Sequence, residues 1–285
     1  MDAPTIPSQR RDDLIGLDGL DKADLLLFLA GNQFMATPDL LDAFRAAHPG
    51  VEHIYCQTLP PGLQLRQILA GKARFDGREI TGRADLYVPV SDEAVDELAR
   101  AGLTEPARCP VYLRNRLALM VAKGNPLDIR SPADLARPGV RLSQPDPELE
   151  HIGCHILEMY RRAGGEDLVR TIMEDKKADG STRPTTVHHR ETPRRILDGE
   201  ADAGPVWITE GLHAARQGLD LETVELPEDL DMRDQAAYRA CPVSSGRNPV
   251  NARTFTDFLF SQEARDIFRH FGFLPENRPA TPPGP

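Results

Sequence analysis

Along the chain, short apolar runs alternate with segments whose apolar positions recur at helical spacing. The run at 25–29 reads as a buried strand with a tight exit at Ala30, Gly31 and Asn32. Thr37 and Pro38 then open a helix with Leu40, Leu41 and Phe44 on one face. Residues 51–56 alternate as a second strand. The turn from Thr58 to Gly62 leads into a helix carrying Leu63, Leu65 and Ile68, which ends near Gly71. Residues 84–90 form a third strand, and Ser91 caps the helix holding Val95 and Leu98. Strand–helix repetition of this kind predicts a parallel sheet with helices on both faces. In such sheets ligands sit at the carboxyl ends of the strands, where the strand order switches.

A second, similar unit follows. Residues 117–122 and 140–143 read as strands, with a helix opening at Ser131 and Pro132 and another from about 150 to 163. The polar stretch 174–186 reads as an exposed loop. Next come His188, His189 and Arg190, then a helix capped by Thr192 with Pro193 at its first position. Gly199 ends that helix, and the run through Val206, Trp207 and Ile208 enters the core. This places the two histidines and Arg190 at a helix N-terminus, where free N–H groups and the macrodipole favour an anion. The strand ending at Trp207 and Thr209 is expected to face a cleft. A helix over 210–217, a strand over 221–226 and a strand-like crossing at 238–243 follow. Asn251 and Ser261 are expected to cap two closing amphipathic helices. Residues 1–23 read as a polar arm and the Pro-rich end from Pro275 as a loose tail.

Composition narrows the functions. With 285 residues, 40% of them hydrophobic, the chain can bury two real cores. A formal net charge of −10 argues against a nucleic-acid or anionic-membrane partner, though not against a small anion held by local donors. No apolar run is long enough to span a bilayer, and the start lacks the basic and apolar regions of a leader. Extracytoplasmic placement is therefore expected if a leader was removed, and cytoplasmic placement if Met1 is native.

Four pieces carry a resemblance: residues 28–32, residues 82–88, residues 199–207, and the closing segment 255–264 with Phe271, Gly272 and Phe273. Together they resemble type II periplasmic solute-binding proteins, nearest the molybdate/tungstate-binding branch. The resemblance implies an α/β fold of two lobes, each a mixed sheet flanked by helices. Lobe 1 would take 24–107 plus 240–285, and lobe 2 would take 108–239. The implied mechanism holds a small oxyanion between the lobes by hinge closure, as a monomer serving an ABC permease, with no cofactor and no nucleic acid. Site positions carry over to Asn32, the Thr58–Gly62 turn, the helix start at His151, His189 and Trp207, and Arg190 enters beside them as a departure from the family pattern. Asn32 and Trp207 stand where the family has a serine and a tyrosine, so two hydroxyl donors become an amide and an indole N–H.

Other readings use the same residues. Arg190 could hold an organic carboxylate through a bidentate pair. His151, Cys154 and His155 share a helical face, and His188 and His189 could join them around a transition metal, although neighbouring histidines in an extended loop would point apart. Cys109 and Cys241 lie near the lobe crossings and could form a disulfide in an oxidising compartment. No catalytic signature such as G-x-S-x-G, H-E-x-x-H or a P-loop is present, so no enzyme is expected. A cytosolic ligand sensor remains the alternative of another class.

Overall fold

The structure, a computed structural model, describes residues 2–279. The chain forms two compact units. Unit 1 comprises the chain up to Arg114, Ala237–His270 and the chain from Leu274 on; unit 2 comprises Asn115–Ala236 with Phe271–Phe273.

Unit 1 begins with residues expected to form an arm. They pack instead: Ile6 is buried against Phe75 and Ile80, and β1 (Leu14–Ile15) pairs antiparallel with β3 (Ile54–Gln57). Gly16 makes the approach possible, because a side chain there would meet the Ile54 carbonyl at 2.3 Å, and its φ is +75°. β2 (Leu25–Phe28) is apolar and wholly buried, and runs parallel to β3 on one side and β6 (Leu86–Tyr87) on the other. Helix α1 (Thr37–Ala47) buries Leu40, Leu41 and Phe44 as its spacing predicts, and α2 (Pro61–Ala70) follows β3. The hairpin β4 (Lys72–Phe75) and β5 (Arg78–Thr81) was not anticipated by the sequence reading. Ser91 caps α3 (Asp92–Arg100), its hydroxyl accepting from the Ala94 N–H. β7 (Val111–Arg114) belongs to unit 1, so the first boundary falls at 114/115 rather than 107/108.

Unit 2 carries the sheet β10-β9-β11-β8-β12. β8 (Leu117–Ala122), β9 (Leu142–Pro145) and helix α4 (Ile152–Arg170) stand close to their expected places. The polar stretch expected as a loop contains the short helix α5 (Lys176–Ala178) and β10 (Thr182–Thr185), which lies parallel to β9. Its inward residues, Thr182 and Thr185, are buried without being apolar. Helix α6 (His188–Leu197) precedes β11 (Ala203–Trp207), which is parallel to β9, and α7 (Ile208–Arg216) begins directly after it. β12 (Leu221–Glu225) closes the edge beside β8.

The chain then returns to unit 1. β13 (Ala237–Arg239) pairs with β7, which puts the second boundary at 236/237, and β14 (Cys241–Pro242) pairs with β6. Helix α8 (Pro249–Leu259) starts after Asn248, so Asn251 lies inside it and donates to the Asp24 carbonyl instead of capping. Ser261 does cap α9 (Gln262–His270). β15 (Leu274–Pro275) adds to β7, so the expected tail begins inside a sheet; its last residues, 280–285, lie outside the described ones.

Candidate functional site

In unit 1, β2, β3 and β6 are parallel, and their exits are the loops after Phe28, Gln57 and Tyr87. β2 has β3 on one side and β6 on the other, so the strand order reverses here. The β2 and β3 exits touch: a side chain at Gly31 would stand 3.3 Å from the Thr58 and Leu59 carbonyl oxygens. Asn32 and Thr58 thus come together, 8% and 2% exposed. The Asn32 amide donates to the Tyr238 hydroxyl, and the Thr58 N–H donates to the Asp13 carbonyl. Gly62 lies in the first turn of α2 behind Pro60 and Pro61, which bring no N–H of their own.

Three buried glutamines join this place. Gln33 donates to the Tyr112 hydroxyl at 2.6 Å, and Gln64 donates to the Leu29 carbonyl at 3.0 Å. Gln57, at the end of β3, has neither side-chain polar atom bonded to another described residue. Sequence reasoning reached Gln33 only as part of the Asn32-Gln33 strand exit and passed over Gln57 and Gln64. The signal was there: Asn32-Gln33 and Gln57-Thr58 are two polar pairs at the ends of two apolar strands.

In unit 2 the matching exits are those of β9, β10 and β11, and each delivers a titratable side chain. Glu150 comes from the loop after β9, His188 from the first turn of α6 after β10, and Glu210 from the first turn of α7 after β11. All three are buried. His188 Nδ1 lies 2.5 Å from Glu150 Oε2, and His188 Nε2 lies 2.9 Å from Glu210 Oε1. Glu150 also accepts from the His188 N–H at 2.7 Å and the Thr185 hydroxyl at 2.5 Å. Burial opposes a charge on His188, but the Glu210 and Glu150 carboxylates outweigh it and push its pKa up to about 10. Burial likewise works against the Glu150 carboxylate, yet the His188 contacts hold its pKa below the usual range.

This geometry corrects the expected start of α6. The helix begins at His188 rather than Pro193, because two carboxylates satisfy its first N–H groups. Glu191 turns back to accept from the Thr186 and Val187 N–H groups at 2.8 Å, and Glu150 takes that of His188. Thr192, the expected cap, is buried and bonded to the Ser143 hydroxyl. The N–H groups of Thr186, Val187 and His188 therefore already hold the protein's own carboxylates. His189 and Arg190 follow in the same turn, half-buried and exposed respectively.

Trp207 is 3% exposed and packs in the unit 2 core beside Leu117 and Ile156. No loop follows it, because α7 starts at the next residue. His155 lies edge-on to Trp207, ring centroids 5.6 Å apart, and His151 stands 5.0 Å from His155. Burial, with the neighbouring His151, lowers the His155 pKa to about 4. Among the described residues, the set whose ligand atoms converge for a metal is His188, His189 and Glu210, not the His151/Cys154/His155 face. In the α6 turn the His188 and His189 rings stand 5.5 Å apart rather than pointing apart. All four cysteines are free thiols, and Cys109 and Cys241 pack together with Val95.

Two α/β units, each offering polar residues from the carboxyl ends of parallel strands, define the type II solute-binding fold. The chain belongs to the bacterial extracellular solute-binding protein family, which it matches over residues 25–274. It is similar to the molybdate-binding protein of Mycobacterium tuberculosis, 24% identical over 251 residues, covering 87% of this chain and 84% of that protein. Its fold is shared with the periplasmic molybdate-binding protein of Azotobacter vinelandii, with TM-score 0.69, 17% identity, and 88% and 98% coverage of the two chains. It is also shared with the sulfate-binding protein of M. tuberculosis, with TM-score 0.66, 19% identity, and 88% and 85% coverage. Among the described residues no helix is long and apolar enough to cross a membrane.

Proposed function

We propose that this protein is the extracytoplasmic solute-binding component of an ABC importer and that its solute is a small oxyanion of the molybdate, tungstate or sulfate class. The observation that carries this reading is the unit 1 strand exits, where Asn32, Thr58 and the unbonded buried amide of Gln57 gather neutral polar groups at a switch point. Neutral donors suit an anion that must be released again. They discriminate by fit, since each buried donor left unpaired costs about 1–3 kcal/mol. In unit 2 this reading uses the basic residues His189, Arg190 and His151, and in unit 1 it adds Gly62 at the start of α2. The molybdate-binding relative and the sulfate-binding neighbour support the oxyanion class.

A thermal-shift screen of chelator-treated protein tests this. At 100 times its dissociation constant a ligand stabilises the native state by about 2.7 kcal/mol, which reads as a rise of a few degrees. Molybdate, tungstate or sulfate is expected to give that rise, and small carboxylates are not. A rise with carboxylates alone would move the assignment to an organic acid held by Arg190.

A further inference from the structure

The three strand exits of unit 2 build a centre of which the oxyanion reading uses His189 alone. We propose that His188, His189 and Glu210 bind a divalent transition-metal ion, with Glu150 as the carboxylate that orients His188. This rests on unit 2 geometry alone and does not depend on the anion.

The donor atoms of the three residues all lie within 4.8 Å of one another. Ligands of a tetrahedral zinc, each about 2.0–2.2 Å from the ion, stand about 3.3 Å apart. His188 Nε2 and Glu210 Oε1 are at 2.9 Å, so a few tenths of an ångström of separation admit the ion. The orientation is already fixed. Glu150 Oε2 accepts from Nδ1 of His188 and leaves Nε2 turned toward Glu210, the carboxylate–histidine arrangement that sets ligand direction in metal sites. Glu150 is held in turn by the Thr185 hydroxyl and the His188 N–H.

Charge points the same way. Two carboxylates are buried against one imidazole, and a divalent ion is the charge that compensates them; because metal ligation needs deprotonated donors, binding releases the protons these ligands hold. Two imidazoles and one carboxylate form a borderline set suited to zinc, nickel, cobalt or ferrous iron rather than calcium or magnesium. His189 is the half-buried member, which gives the ion a way in.

Zinc alone, titrated calorimetrically into chelator-treated protein, tests the assignment, with cobalt substitution as an optical readout. One zinc per chain is expected, with proton release that scales with buffer ionisation enthalpy. His189→Ala and Glu210→Gln should each weaken binding at least tenfold, while His151→Ala and Cys154→Ser should not. Because His189 is half-buried, His189→Ala retains the fold, which circular dichroism checks. No zinc uptake by the wild type, or uptake that survives both variants, would overturn the site. Molybdate titrated into the same chelated protein keeps the two readings apart. Molybdate binding without zinc uptake removes the metal site only; zinc uptake without any oxyanion binding removes the oxyanion only.

Discussion

The two units use one topology for opposite chemistry. Each presents its parallel-strand exits as a polar centre. Unit 1 fills that centre with neutral amides and hydroxyls: Asn32, Gln33, Gln57, Thr58 and Gln64. Unit 2 fills it with charge: Glu150, His188 and Glu210. The difference matters energetically. A buried amide lacking a partner costs about 1–3 kcal/mol, whereas a buried charge stripped of its partner costs about 3–5 kcal/mol. Unit 1 can therefore exchange partners at modest cost and unit 2 cannot. One centre is suited to a solute that comes and goes, and the other to a fixed occupant.

The strongest way to break this contrast is to remove the charge that balances unit 2. His188→Ala leaves Glu150 and Glu210 buried without their imidazole and should destabilise the protein by about 3–5 kcal/mol. Urea unfolding of the metal-free protein measures it, and a loss below about 1 kcal/mol would show that the trio is not a unit.

The second effect in size is a pH dependence within unit 2. His155 has a folded pKa of about 4 against an ordinary value near 6.5, with His151 and Asp234 as the titratable neighbours that act on it. Between those values the unfolded chain binds a proton that the folded one refuses, so stability falls as pH drops through this window. The loss is on the order of 3 kcal/mol. His155→Leu should flatten the Tm-versus-pH curve from pH 6.5 to 4; an unchanged slope would assign the acid sensitivity to other groups.

Smaller effects belong to unit 1. Asn32→Ala should weaken oxyanion binding about tenfold, roughly 1.4 kcal/mol, beyond a stability loss of about 1 kcal/mol in the ligand-free protein from the lost bond to the Tyr238 hydroxyl. Isothermal titration decides, and equal affinity would remove Asn32 from the site. Gln64→Leu drops a donor to the Leu29 carbonyl and should cost about 1 kcal/mol of stability in chemical denaturation. A cost as large as that of His188→Ala would erase the difference between the units.

Much of the fold was legible because burial follows local pattern. Residues 25–29 and 117–122 are apolar runs bounded by turn residues, and α1 and α3 show their inward faces and caps in the sequence. The misses share a cause. β10 reads Thr-Arg-Pro-Thr and carries no apolar alternation; its place comes from pairing with β9, about forty residues away. The start of α6 was misplaced because Thr192-Pro193 satisfies the local capping rule, while the actual caps are Glu191 and Glu150. Glu150 is 38 residues distant in sequence. The unit 2 trio could not be read from spacing, since its members come from three separate strand exits. Asn32 and Thr58 could be placed because strand ends are visible locally. Trp207 could not, since whether α7 begins immediately after it decides between core and cleft.

The route of the chain has a consequence for how the protein comes to be made. Unit 2 is an almost uninterrupted insert, Asn115–Ala236, that lacks only Phe271–Phe273. Those three residues pack on it late: Arg216 lies over the Phe271 ring at 5.2 Å, and a side chain at Gly272 would strike Leu212 at 2.3 Å. Unit 1 takes its β6 partner strand, two helices and the last strand on β7 from beyond residue 236. During synthesis, unit 2 thus has nearly all its contacts while unit 1 still waits for its closing strands. On a ribosome adding about 5–20 residues per second, that interval lasts some seconds. The free edge of β6, which is covered only when β14 pairs with it, is the surface that must be kept from other chains until the residues beyond 236 arrive.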